Sequence, residues 1–233
     1  MGTDDLFHKK RIRRERAFDR LRKIRASHDV VLIICEGEKT EPNYFKGLRS
    51  ILHLNKENIV IHDRRSGSDP LSLVNSAEEE YLKELRRDPE KQGYDHVFVV
   101  FDKDTHGTYN DALQKMAGLS KKYKGKFKAI VSVPCFEFWL LLHFEYTSRQ
   151  YGASGNNSPC DNVIRDLRAY IPGYAKGSAD VFETTYPRVD EAIKNAERLE
   201  KGQEEADTDN PSTKVHRLVE YLQSLKDKNE ESV

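Results

Sequence analysis

The chain has 233 residues, 33% of them charged and 37% hydrophobic, and its 39 Lys/Arg are balanced by 39 Asp/Glu. That length suits one elaborated domain with a single substantial core, and a net charge of zero excludes a chain that binds polyanions over its whole surface. No apolar run approaches the roughly 18 residues that suggest a membrane span, and the charged stretch Asp4–Arg25 leaves no secretory signal to expect. The overall balance hides an asymmetry: residues 1–27 carry 10 Lys/Arg against 4 Asp/Glu, so the remainder is net acidic.

Residues 7–26 read as a basic helix within an N-terminal arm at 1–28, with Phe7, Ile12, Phe18, Leu21 and Ile24 as scattered apolar positions. A solvated arm packed on the domain or a second subunit fits this pattern, and so does a phosphate-contacting element. Val30–Ile34 then reads as a short buried strand. It runs into Cys35-Glu36-Gly37-Glu38-Lys39-Thr40-Glu41. A helix follows from about Glu41-Pro42, because proline fits a first helical turn. It carries Tyr44, Phe45, Leu48, Ile51 and Leu52 at helical spacing. Asn58–Ile61 is a second strand. Gly67–Pro70 forms a loop with Ser68 or Asp69 as helix cap, and the helix from Leu71 stops near Arg87, ahead of Asp88-Pro89. His96–Phe101 is a third strand, leading into Asp102-Lys103-Asp104-Thr105-His106-Gly107. A helix over 109–122, a fourth strand at Phe127–Val133 and an apolar helix over Cys135–His143 complete the alternation. Residues 148–159, rich in Gly, Ser and Asn, read as a flexible loop. Helices at about 160–170, 185–200 and 212–226 form a helical extension over 160–226, and 227–233 is a charged tail.

Strands alternating with helices over 29–147 imply parallel βαβ units. The expected fold is α/β: a doubly wound, mainly parallel four-stranded sheet flanked by helices, with a helical C-terminal extension. Ligands of such sheets bind beyond the carboxyl ends of the strands. Both acidic motifs fall there, and Glu137 follows the fourth strand. Carboxylates at the ends of buried strands are costly unless something neutralises them. A divalent cation does so, and Glu36, Asp102 and Asp104 are the candidate ligands. Asp102 and Asp104, two apart, face the same way on an extended backbone. The hard oxygen donors suit Mg2+ (or Mn2+), which tolerates several waters and can polarise a phosphate. Glu36 is a ligand or a general base. Lys39, Lys103 and His106 are candidates for phosphate contact.

Glu137 reads as a catalytic carboxylate, as an ion-pair partner of Lys176 or Arg149, or as a cap of its own helix. Glu38 and Glu41 read as structural, Glu41 supplying the negative charge that a helix start favours. His143 and the run Phe136–Phe144 read as core. Cys35, Cys135 and Cys160 lie far apart in sequence, with neither a C-x-x-C pair nor a His cluster to complete a zinc site. Their pattern fits reduced thiols in a cytoplasmic protein. The chain has no G-x-x-x-x-G-K-[ST] loop, so it does not read as a P-loop ATPase.

Glu36-Gly37 after the first strand, with Asp102-Lys103-Asp104-Thr105-His106-Gly107 after the third, resembles the Toprim signature of topoisomerases, primases and related nucleases. The runs CEGEKTEPNYFKGL (35–48), FDKD (101–104), PCFEFWLLLHFE (134–145), Tyr174-Ala175-Lys176 and NPSTKVHRLVEYL (210–222) resemble the RloB-like family of abortive-infection proteins, over about 30–225. The resemblance implies a Toprim-like domain and a Mg2+- or Mn2+-dependent endonuclease that cleaves DNA or RNA, tRNA included, in bacterial anti-phage defence. It also implies an SMC/ABC-like ATPase as partner. It makes Glu36 the general acid/base or a metal ligand, and Asp102 and Asp104 the metal-binding pair. Glu137 and Lys176 stand in family-like motifs without an assigned role. Two alternatives stay open: a catalytically weak nucleotide/metal-binding sensor or adaptor that docks an ATPase, and a nucleotidyl-transfer or phosphatase activity on small phosphates. The C-terminal helices carry no legible chemistry, and homodimerisation, ATPase docking and walling of the active site all fit them.

Overall fold

The computed structural model describes residues 29–63, 69–87, 93–103 and 107–230. The predicted basic arm at 1–28, and Asp104 and His106 of the second acidic motif, lie outside the described residues. The alternation expected from the sequence is present as β1 (Val31–Cys35), α1 (Thr40–Ile51), β2 (Ile59–His62), α2 (Pro70–Arg87), β3 (His96–Asp102), α3 (Tyr109–Lys122) and β4 (Phe127–Val133). These strands pair in parallel in the order β2-β1-β3-β4. Successive side chains of a strand point to opposite faces, so a strand buried on both sides is apolar throughout. Val31, Ile33 and Cys35 of β1 join Phe98 and Val100 of β3 in one apolar layer, under α1 and the C-terminal helices. Leu32 and Ile34 join Val97, Val99 and Phe101 in the other, under α2 and α3. The fold is α/β, with helices on both faces of a mainly parallel sheet.

The order of the strands positions the site. The chain steps outward from β1 to β2, then crosses back over β1 to lay down β3 on its other side. Winding therefore reverses between β1 and β3. At such a reversal the connections leave in opposite directions and open a crevice at the carboxyl ends of the two strands.

Among the described residues the sheet has five strands, not the four expected. β5 (Ser212–Thr213) pairs antiparallel with the end of β4, placing Thr213 opposite Ser132 and Ser212 opposite Val133. Residues 212–213 were expected to start a helix, and two residues are too few to show a period of two. Tertiary pairing with the edge of β4 decides their conformation, helped by the Ser132 Oγ–Thr213 Oγ1 contact at 3.1 Å. Thr213 Oγ1 also accepts the Val215 N–H at 3.2 Å, so one side chain closes the strand and opens the next helix.

The remaining elements are α4 (Glu137–Leu141), α5 (Pro159–Leu167), α6 (Val181–Thr185), a 3-10 turn (Tyr186–Arg188), α7 (Val189–Ala206) and α8 (Val215–Glu230). The helix expected at about 185–200 opens as the 3-10 turn and continues as α7, the short α6 before it was not expected, and the last helix continues past 226. Residues 148–159 carry defined contacts. The Tyr151 N–H donates to Asn210 Oδ1 at 3.2 Å, Asn210 Nδ2 donates to Tyr151 O at 2.8 Å, and Ser158 and Asp161 form a capping box at the start of α5. Phe136, Phe138, Trp139 and Leu140–Leu142 are buried, as their continuous apolarity predicts. His143 is buried with them. Its Nδ1 lies 3.0 Å from Trp139 O, and burial pushes its pKa down to about 4, so it is a neutral core residue. Among the described residues no helix is long and apolar enough to cross a membrane.

The face assignment of α1 is testable. Leu48 is fully buried against the sheet, whereas Ile51, one turn on, is 43% exposed. Leu48→Ala is expected to lower unfolding stability by roughly 2–5 kcal/mol, and Ile51→Ala by no more than about 0.5 kcal/mol, in denaturant titrations.

Candidate functional site

Glu36 is the first residue past β1. Its N–H donates to Val100 O at 2.9 Å, extending the β1–β3 ladder by one rung. Its side chain then bends over the neighbouring strand, and Glu36 Oε2 accepts the Asp102 N–H at 3.0 Å. Asp102 is the last residue of β3, opposite Ser132 of β4, and the Lys103 N–H donates to Ser132 O at 2.8 Å. The two acidic motifs, 66 residues apart, thus meet at the switch point. Asp104, expected as a third ligand, is outside the described residues.

Two further carboxylates close on this pair. Glu41 lies in the first turn of α1, and helical side chains lean toward the N-terminus. Its carboxylate folds back over Gly37, into the space a Cβ would take, so a side chain there would displace the Glu41 carboxylate. Glu41 is only 6% exposed. Glu137, in the first turn of α4, is 2% exposed. The structural role expected for Glu41 is therefore only half of the picture. It is a member of the acidic cluster.

The electrostatics follow from this crowding. Burial raises the Asp102 pKa well above the usual carboxylate range, and the charges of Glu41, Glu137 and Glu36 raise it further, against hydrogen bonding to the Phe136 backbone. Burial also pushes Glu41 up to about 7; its own backbone hydrogen bond and Lys176 oppose this, while Glu137 and Glu36 add to it. Buried carboxylates that repel one another either take up protons or need a cation. The donors are all hard oxygens, which fits Mg2+ or Mn2+.

The far wall is a segment with no legible secondary structure, Tyr174–Gly177, that docks on the start of α1. The Gly177 N–H donates to Thr40 Oγ1 at 2.8 Å. Gly177 has φ +82°, and a Cβ there would come within 3.0 Å of the Lys39 side chain, so close approach and backbone conformation both favour glycine. Tyr174 donates its hydroxyl to Glu137 Oε1 at 3.1 Å, and Lys176 Nζ lies 3.6 Å from Glu137 Oε2. Burial, with the Glu137 carboxylate beside it, drives the Tyr174 pKa well up, so its hydroxyl stays a donor. Of the two partners expected for Glu137, Lys176 is the one observed; Arg149 pairs with Asp166. Gly37, Glu38, Lys39, Thr40, Glu41, Glu137, Lys176 and Gly177 line a cavity of about 340 Å³. Lys39, Glu137 and Lys176 thus come together beside Glu36 and Asp102. Lys103 instead pairs with Asp209 at 2.5 Å and lies over the Tyr109 ring.

The cysteines correct an expectation. Cys135 and Cys160, separated by 25 residues, are joined as a disulfide with Cα atoms 5.7 Å apart, while Cys35 is free and buried. Sequence spacing hid this, because a loop and the start of α5 bring Cys160 back onto α4. Glu41 was missed for a different reason: a charge at a helix start has a sufficient local explanation. The available signal was the glycine four residues earlier, which leaves room for a folded-back side chain.

A family model described as RloB-like protein matches residues 31–222. No curated protein matches the chain.

The Glu41 shift has a signed consequence. A carboxyl whose folded pKa is about 7 binds its proton more tightly than the unfolded chain does, so it costs stability as pH rises from about 4.5 to 7. In metal-free buffer Glu41→Gln is expected to exceed wild type in stability by roughly 2–3 kcal/mol at pH 8 and to match it near pH 4.5, in denaturant titrations at both pH values. Equal stability at pH 8 contradicts the placement of Glu41 in the cluster.

Proposed function

The chain belongs to the RloB-like protein family, and from that premise we propose that it is a divalent-metal-dependent nuclease of the Toprim type. The observation that carries this reading is the meeting of Glu36 and Asp102 at the β1/β3 switch point, through the 3.0 Å bond from the Asp102 N–H to Glu36 Oε2. Glu36 and Asp102, with Asp104 of the same motif, would hold Mg2+ or Mn2+. The ion would supply charge neutralisation and polarisation of a backbone phosphate. Lys39 and Lys176 line the adjoining cavity, and Lys176 keeps 58% of its side chain exposed. Both ammonium groups would contact a phosphate that approaches the acidic edge. Glu137 holds Lys176 in position, and Tyr174 holds Glu137. Glu41, with a pKa of about 7 and its carboxylate on the cavity wall, can take or give a proton near neutral pH.

The substrate is DNA or RNA, tRNA included, and the setting is cytoplasmic anti-phage defence, with an ATPase partner supplying the nucleotide hydrolysis for which this chain has no P-loop. The net acidic body outside the first 27 residues makes unaided nucleic-acid binding weak and salt-sensitive. One observation favours the alternative of a nucleotide/metal sensor: a 340 Å³ cavity is the size of a small-molecule site rather than a groove.

The test is cleavage of plasmid DNA, single-stranded DNA and total tRNA with Mg2+ or Mn2+, with and without the partner ATPase, by wild type, Asp102→Asn and Glu36→Gln. Wild type is expected to cleave one substrate class only with metal, and each variant to lose at least about 100-fold in rate. Undiminished cleavage by Asp102→Asn contradicts the assignment. Nucleotide binding with no cleavage under any condition favours the sensor.

A further inference from the structure

Beside the acidic edge lies a second cluster of different chemistry. Cys135 precedes α4, Glu137 stands two residues on in its first turn, and Cys160 belongs to α5. One ligand atom from each lies within 4.8 Å of the other two. Cys135 and Glu137 are buried, and Cys160 is partly so. Cys160 Sγ and Glu137 Oε2 are 3.3 Å apart. Two ligands sharing one tetrahedral zinc ion sit at about that separation, since Zn–S is about 2.3 Å and Zn–O about 2.0–2.2 Å. In the disulfide the sulfur has no proton to donate, so this contact gives the buried carboxylate nothing. A thiol would give it a hydrogen bond, and a metal ion would give it charge.

We propose that Cys135, Cys160 and Glu137 form, once the disulfide is reduced, a binding site for one soft divalent cation of the zinc type. Reduction breaks the S–S bond by exchange with a small-molecule dithiol, which becomes the cyclic disulfide as both protein sulfurs gain a proton. Metal binding then releases those two protons and leaves two thiolates and one carboxylate on the ion. Glu137 also lines the 340 Å³ cavity, so a water from that side can complete four-coordination. Thiolates select zinc over magnesium, whereas the oxygen-only edge at Glu36 and Asp102 has the opposite preference. The two sites are therefore distinguishable by metal. The ion would draw Glu137 Oε2 from Lys176, which ties this site to the wall of the acidic cavity. The proposal does not rest on the nuclease reading, since its readout is bound metal.

The full chain is reduced anaerobically with dithiothreitol, freed of it, loaded with Zn2+ and passed through a desalting column. A free-thiol count of three checks that reduction is complete. About one zinc per chain is expected to be retained by the reduced protein and none by the oxidised protein. Co2+ in place of Zn2+ is expected to give a thiolate-to-metal charge-transfer band. Cys160→Ser and Glu137→Gln are each expected to weaken binding at least about 10-fold, while Asp102→Asn keeps the zinc. Thermal unfolding of each variant checks its fold. No retained zinc in the fully reduced wild type, retention unchanged in folded Cys160→Ser, or loss of zinc in folded Asp102→Asn would overturn the proposal.

Discussion

Repulsion among Glu36, Glu41, Asp102 and Glu137 is the constraint around which this end of the molecule is arranged. Four carboxylates from four separate elements occupy the carboxyl edge of a parallel sheet, and the charges of Glu36 and Glu137 oppose ionisation of both Glu41 and Asp102. Glu41 and Glu137 are buried, so solvent does little to relieve them. The relief comes from directed donors. The Asp102 N–H serves Glu36, the Tyr174 hydroxyl and Lys176 serve Glu137, and the backbone of α1 serves Glu41. The cluster adjoins a cavity that Glu41 and Glu137 line, and the proposed cation would neutralise it from there.

The strand order makes this convergence possible. Parallel strands all deliver their carboxyl ends to one edge, and the reversal of winding between β1 and β3 keeps that edge uncovered. The C-terminal segments close the remaining sides. β5 caps the β4 edge, and Tyr174–Gly177 docks on the start of α1 through the Gly177–Thr40 bond. The helical extension thus walls the site, whatever else it binds.

Much of this was legible in the sequence where local pattern and tertiary environment agree. The apolar runs at Val31–Cys35, His96–Asp102 and Phe127–Val133 are long enough, and bounded clearly enough, to name strands, and an acid at the end of two of them names the edge. Legibility failed where long-range contacts decide. Ser212–Thr213 becomes a strand only because β4 offers an edge. Tyr174 reaches Glu137 from a segment with no periodicity, although Lys176 beside it was expected as a partner of Glu137, and Cys160 meets Cys135 only after the 148–159 loop returns. Glu41 failed in a subtler way, because favourable charge at a helix start explained it completely and hid its membership of the cluster. Asp104, which the spacing pairs with Asp102, lies outside the described residues.

The central claim is that the β1/β3 edge is a hard divalent-cation site. Anomalous diffraction from crystals soaked in Mn2+ tests it directly. A peak within coordination distance of the Glu36 and Asp102 carboxylates is the expected result. A fully soaked crystal with no peak at that edge, or with manganese bound only elsewhere on the chain, contradicts it.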